Sequence, residues 1–395
     1  MIGGTALRQA LVVFRKELKD SLRDRRALFP IVFSILVYPA LISFMMNRVA
    51  AGERAVEDIT LPVVGRANAP AFVDWLGQQA GVHVVDGPTD PEASVRQQKE
   101  SVVLVIPKDF AEHFRASKPA TVKVVSDSSR TIERGKAERV RRLVGRYNAE
   151  IGSLRLIGRG ISPVVASPLT VDEVEVSSAQ QRAATTLAFI PMMALLAAFT
   201  GGMQVATDST AGERERGSLE PLLVNPAPRG AIVSGKWLAA AFLSAVTVSL
   251  TTIITIEQLR FIPLSELGLR FRFGAPQIVG MLAVLLPMCP LVAAVQAVIA
   301  TFARSFKEAQ SYMGFLMLLP MAPAIVGIVY PISAQGWMYP VPMLGHYVLL
   351  SNVLAARETS TMAFVICGGV SLALTALLVQ ATARLFRSER IIFGR

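Results

Sequence analysis

Six stretches of this chain are unbroken enough in their apolar character, and long enough, to cross a lipid bilayer, which takes about 20 residues of helix. They are 27–46, 183–206, 237–256, 276–303, 311–333 and 361–386. Only helices and closed barrels satisfy their backbone inside hydrocarbon, and runs of this length belong to helices. A seventh stretch, 337–354, is apolar but interrupted by Pro340, Pro342, Gly345 and His346, and reads as a re-entrant or interfacial helix pair. Charged residues make up 17% of the chain, against about a quarter in soluble proteins. The deficit is local, because residues 47–182 have ordinary soluble composition. The expected fold is therefore a polytopic α-helical membrane protein with six transmembrane helices and an α/β domain inserted between helices 1 and 2.

Charge placement sets the expected orientation. Residues 1–26, 207–236, 304–310 and 384–395 hold 17 Lys and Arg together, whereas the short loops 257–276 and 334–360 hold 4. By the positive-inside rule both termini lie in the cytoplasm and residues 47–182 lie outside, in a multi-pass protein of the cell (inner) membrane. The large domain is excluded from that comparison by its length, and its 19 basic and 17 acidic residues nearly balance. The net charge of +11 is thus a topology signal, and a nucleic-acid partner is not expected. The apolar core of the first run is too long for a cleaved secretory signal, so it reads as a retained span. Cys289 and Cys367 both fall within spans, which leaves no disulfide framework and no metal-ligand pair.

Within 47–182, "LPVVG" (61–65), "VHVV" (82–85), "SVVLVIP" (101–107) and "TVKVVSD" (121–127) read as strands, with short helices at "PAFVDWLGQQA" and "PEASVRQQ" between them. A long helix is expected over 131–157 and a returning strand over 168–176. The basic face of that helix (Arg134, Lys136, Arg139, Arg141, Arg142, Arg146) reads as solvated. Residues 5–26 repeat Leu7, Leu11, Phe14, Leu18 and Leu22 at threes and fours with basic residues on the other faces. That pattern suits a helix lying along the inner membrane surface.

"GAIVSGKW" (230–237) has P-loop spacing except that Trp237 stands where Ser or Thr should ligate magnesium. A P-loop also needs a strand before its glycine turn, and "NPAPR" is not a buried central strand. With a span starting directly after it, Lys236 is expected at the membrane surface and the match is accidental. Just upstream, "ERERGSLEPLL" combines a dense charge cluster with Leu219, Leu222 and Leu223, a combination suited to docking a soluble partner.

"ERERGSLEPLLVNPAPRGAIVSGKWLAA" resembles the coupling segment of ATP-binding-cassette permeases of the second exporter class. "FRKELKDSLRDRRALFP" is similar to the amphipathic first helix of that class, and "PMLGHYVLLSNVLA" to its sodium-extrusion branch. The resemblance implies a permease subunit, not itself an enzyme, that exports sodium ions under the drive of a separate ATP-binding subunit. ATP and magnesium would sit on that partner, and this chain would hold no cofactor. Carried over by position, Glu213, Arg214, Glu215, Gly217, Ser218, Leu219 and Glu220 would contact the ATPase, supported by Arg15, Lys16 and Glu17. One segment per chain and two ATPase subunits imply two permease chains, most simply a homodimer.

Polar residues inside spans are costly and become default site candidates. Here these are Gln204, Thr207, Asp208, Gln296, Gln310, Glu257, His346 and Gln380, with Gly201, Gly202, Pro287, Pro290, Pro320 and Pro323 as places where a broken helix would free carbonyls. An exporter of drugs, peptides or lipids and a membrane sensor with an external ligand-binding domain are the competing readings. An intramembrane hydrolase is disfavoured, because H-E-x-x-H and G-x-S-x-G are both missing from the sequence.

Overall fold

A computed structural model of the chain describes residues 2–127, 129, 131–166, 169, 187–218, 221, 227–261, 274–329 and 334–386. It divides into two compact units, one of Met1–Met46 with Ser177–Arg395 and the other Asn47–Val176. The returning strand expected over 168–176 lies, but for Leu169, outside the described residues.

In the helical unit, α1 (Ile2–Arg23) stops at Asp24, whose Oδ1 accepts a hydrogen bond from the Arg26 N–H at 2.8 Å and so starts α2 (Arg25–Glu57). The chain returns to the unit through α7 (Phe189–Thr207), α8 (Arg229–Leu259) and α9 (Ala275–Phe302). Then come α10 (Phe306–Leu316), α11 (Leu318–Val329), α12 (Leu344–Leu354) and α13 (Thr361–Leu385). Six helical segments among the described residues are long and apolar enough to cross a membrane. The fifth, Phe306–Gly327, is made of α10 and most of α11.

With no hydrophobic drive between helices in lipid, close association depends on small residues. That is what α7 and α8 show. A Cβ on Gly201 would stand 2.7 Å from the Thr247 side chain, and one on Gly202 would stand 2.6 Å from the Ala240 carbonyl oxygen. These glycines let two backbones approach. They do not break α7, which runs through them, and Pro287 and Pro290 likewise lie inside a continuous α9. The expected helix pair at 337–354 is instead a short 3₁₀ turn, Gly336–Met338, and the single buried helix α12.

The other unit carries β1 (Ile59–Val64), α3 (Pro70–Gly77), β2 (Val82–Asp86), α4 (Pro91–Arg96), β3 (Val102–Val105), α5 (Phe110–Arg115), β4 (Lys123–Ser126) and α6 (Thr131–Ile157). Its sheet order is β2-β1-β3-β4, with β1 parallel to both neighbours and β4 antiparallel to β3. Ile59, Leu61, Val63, Val102 and Leu104 are buried on the central strands, and Ala137, Val140 and Leu143 of α6 belong to the same core. The basic face of α6 is only partly solvated. Arg139 donates to the Val56 and Ala80 carbonyls at 2.8 and 2.6 Å, and Lys136 donates to Ser101 Oγ at 3.2 Å. Gly65, at φ 81°, turns the chain after β1 where a Cβ would collide with the Ile106 carbonyl.

Candidate functional site

The charge run "ERER" is where the helical unit is tied together. A π-helical turn, Asp208–Gly212, follows α7 and leads into a single helical turn, Glu213–Glu215. Turns of this kind re-aim the residues after them and recur at functional sites. Each of the four charged side chains then goes to a different place.

Glu213 turns inward and is 7% exposed. Its Oε2 accepts from Lys236 Nζ at 2.7 Å and its Oε1 from Lys16 Nζ at 3.0 Å. Glu17, 5% exposed, accepts from the same two lysines at 2.9 and 3.0 Å. Two lysines and two glutamates therefore form a closed, charge-balanced cluster joining α1, the end of α7 and α8. The second lysine, Lys236, is 5% exposed. Partial burial works against the charge of Lys16, but the Glu17 and Glu213 carboxylates outweigh it and hold its pKa above the ordinary lysine range.

Arg214 donates from Nη1 to the Ala303 carbonyl and from Nη2 to the Thr301 carbonyl, both at 2.8 Å. It thereby satisfies the end of α9, where helix carbonyls are left without partners. Glu215 Oε2 accepts from the Phe306 N–H at 2.7 Å, which caps the start of α10 and places a negative charge at a helix N-terminus. Arg216 reaches back to Asp208 at 2.8 Å. Four consecutive residues thus hold α1, α8, α9 and α10 to the end of α7.

The lysine of "SGKW" belongs to this cluster, buried and paired. The helix containing it begins at Arg229, after Pro228, so Lys236 sits about two turns inside α8. The preceding glycine has its own reason: a Cβ on Gly235 would stand 2.6 Å from Val13 Cβ and 2.7 Å from the Ala10 carbonyl oxygen of α1. Gly235 lets α1 lie against α8, and that contact delivers Glu17 to Lys236. The buried face of α1 is accordingly Ala10, Glu17 and Ser21, while Leu7, Leu11 and Leu22 of the expected apolar stripe are exposed. Nothing here forms a phosphate cradle, since 229–236 is regular helix.

Of the residues expected to face an ATPase, Glu213, Arg214, Lys16 and Glu17 make the contacts above and Glu215 caps α10. Gly217 and Ser218 are exposed. Arg15 is on α1 beside the cluster, and Leu219 and Glu220 lie outside the described residues. The candidates for a substrate path do not gather. Gln204, Thr207 and Asp208 stand at the hub, with Thr207 bonded to the Met203 carbonyl. Gln296 is buried against α7, donating to the Phe199 carbonyl at 2.7 Å. Glu257 pairs with Arg260 at 3.0 Å. His346 is buried with Nε2 3.3 Å from Ser371 Oγ. Gln310 and Gln380 are exposed. Sequence reasoning missed the structural use of Lys236 and Gly235; the signal was a helix start after Pro228 with "GAIV" already apolar.

Comparison with known proteins places this geometry. The model of the ABC-2 family transporter protein matches residues 27–379. The chain belongs to this family of ABC transporter permeases. It is also 29% identical over 322 residues to the ABC transporter permease protein NatB of Bacillus subtilis (strain 168), covering 79% of this chain and 80% of the relative. The chain is therefore a multi-pass membrane permease, a transport subunit by family.

Proposed function

We propose that this chain is the permease half of an ATP-driven exporter and is moved by a separate ATP-binding subunit acting on residues 213–223. The observation that carries the reading is the four-way hub. A push on the exposed residues Arg216, Gly217 and Ser218 reaches α1, α8, α9 and α10 through polar contacts of 2.7–3.0 Å. Rigid, paired contacts of this kind transmit displacement between discrete packed states better than a solvated loop. In this arrangement the hub end of the unit and both termini face the cytoplasm and the α/β unit faces outward. Two permease chains, most simply identical, meet two ATPase subunits, and ATP and magnesium stay on the partner.

The cargo we propose is sodium, on the resemblance of "PMLGHYVLLSNVLA" to the sodium-extrusion branch together with the hard oxygen groups near Asp208. One observation favours a second reading, export of apolar molecules: a cavity of about 350 Å³ lined only by apolar residues, among them Phe199, Val292, Leu319, Met343 and Leu377. Reconstituting the chain with its ATPase and measuring ATP hydrolysis with sodium, potassium or a hydrophobic drug separates the two. Sodium-selective stimulation supports the first. Stimulation by the drug and indifference to sodium transfers the conclusion to the second.

A further inference from the structure

Every residue around the cavity of about 350 Å³ in the helical unit is apolar. Phe199 of α7, Val292 of α9 and Met343, just before α12, are buried and close its inner side. Leu319 of α11 and Leu377 of α13 stand at its mouth, 48% and 62% exposed. The helical segments that supply Phe199, Val292, Leu319 and Leu377 are all long and apolar enough to cross a membrane. Each of these four residues lies about eight or more positions from either end of its helix, roughly 12 Å along the axis. In a bilayer whose hydrocarbon is about 30 Å thick, the mouth therefore opens onto lipid tails and not onto water.

Met343 marks the inner wall for a second reason. The Leu344 N–H donates to the Pro342 carbonyl at 2.9 Å, closing a three-residue turn with Met343 at φ 66° and ψ −50°. This is the strained form of that turn. A residue other than glycine keeps such a conformation only where its surroundings impose it, and these places gather at ligand sites and switches. The turn brings irregular backbone beside Phe199, which hydrocarbon tolerates only where that backbone is buried in protein.

What fills the cavity follows from its lining. No side chain around it offers a hydrogen bond or a charge, so ions, headgroups and water are all disfavoured there. A void of this size left unfilled would forfeit packing on every wall. The material at its mouth is acyl chain, which moves from bilayer to cavity without exposing apolar surface to water.

We infer that the cavity binds the acyl chain of a bilayer phospholipid, which enters sideways past Leu319 and Leu377 while its headgroup stays at the membrane surface. The site stands on the cavity and the spans alone, whatever the exported cargo. Its inner side comes from α7, which leads into Glu213–Glu215, and from α9, whose end Arg214 holds. A bound chain thus lies where movement of those two helices is felt. The wall residues sit well below the helix ends, so only the far part of a long chain reaches them.

The test uses the full chain in vesicles of dioleoylphosphatidylcholine with a small share of the same lipid carrying a diazirine near the end of one chain. After illumination, cross-linked residues are located by mass spectrometry. Adducts are expected on half-buried Val295 and on Pro342 or Met343, besides those on exposed residues such as Leu286 and Phe315. A diazirine beside the headgroup should leave Val295, Pro342 and Met343 unlabelled. Val295→Phe with Leu374→Trp takes up much of the space and should abolish most adducts at Pro342 and Met343. Persistent adducts on Leu286 and Phe315 show that this variant is folded and inserted. If it fails to insert, the comparison of the two diazirine positions decides alone, since it needs no variant. Labelling of Val295 and Met343 that is no greater from the chain end than from the headgroup, or that survives in the inserted double variant, overturns the inference. Sodium-stimulated ATP hydrolysis is read separately, so the export reading stands or falls apart from these outcomes.

Discussion

Replacing Lys236 by methionine tests the ion cluster most sharply, since the side chain keeps its length and loses only its charge. Lys236 is 5% exposed and makes two contacts, 2.9 Å to Glu17 and 2.7 Å to Glu213. Removing one member of a buried ion pair costs about 3–5 kcal/mol, most of it the stranded partner. Here the glutamates are not fully stranded, because Lys16 still bonds both at 3.0 Å. The loss should therefore fall at the low end, about 3 kcal/mol. Equilibrium denaturation of the full chain in mixed micelles provides the measurement, with Glu213→Gln and the double variant completing a cycle. Removing Glu213 first leaves Lys236 with Glu17 alone, so the second change costs less than it does in the wild type. We expect a coupling energy of about 1–3 kcal/mol. Costs that add within about 0.5 kcal/mol would refute a shared buried cluster and return Lys236 to the status of a surface residue.

Three further outcomes follow from the same geometry. Gly235→Val pushes a side chain into Val13 and the Ala10 carbonyl; the overpacking should cost about 1–3 kcal/mol and free α1, read as faster protease cleavage within residues 2–23. Arg214→Lys removes the fork that holds two carbonyls at the end of α9, and should lower stability by about 1.5–3 kcal/mol, with hydrogen exchange rising first around residues 300–306. Lys16 has a pKa raised in the folded state by Glu17 and Glu213. Its contribution is fully present below the unfolded lysine value of about 10.4 and fades only as pH climbs through the higher folded value. Chain stability should thus show no Lys16-dependent change between about pH 7 and 9, and the alkaline fall above that should shrink in Lys16→Met.

Much of the architecture was readable because lipid punishes ambiguity: a run such as 276–303 has no soluble alternative, and α9 occupies nearly the same residues. The strands of the α/β unit were readable as well, since "SVVLVIP" and "VHVV" are β-branched runs bounded by turn residues. The hub was harder. A dense charge cluster normally lies in solvent, so "ERER" pointed outward, whereas Glu213 and Arg214 are satisfied only by residues from 197 positions before to 89 positions after them in the chain. No local pattern encodes such partners. The burial of Lys236 was hard to read for a related reason: a lysine ordinarily lies in solvent, and only the carboxylates of Glu17 and Glu213, from two other elements, make it tolerable inside the helix packing. Gly201 and Gly202 likewise signalled a break, yet their actual use, admitting the Ala240 backbone, depends on a helix thirty-odd residues away in sequence.

The central claim is that displacement by an ATP-binding partner passes through Glu213, Arg214 and Glu215 into the helices. It is tested most directly in a reconstituted pair whose Cys289 and Cys367 are replaced by alanine and whose Leu374, at the wall of the apolar cavity, is replaced by cysteine. Labelling of that cysteine by a water-soluble maleimide is followed with and without ATP and vanadate, alongside ATP hydrolysis. The account predicts an ATP-dependent change in labelling that disappears in the Glu213→Gln, Arg214→Lys chain while hydrolysis continues. An ATP-dependent change of unaltered size in that chain would contradict it.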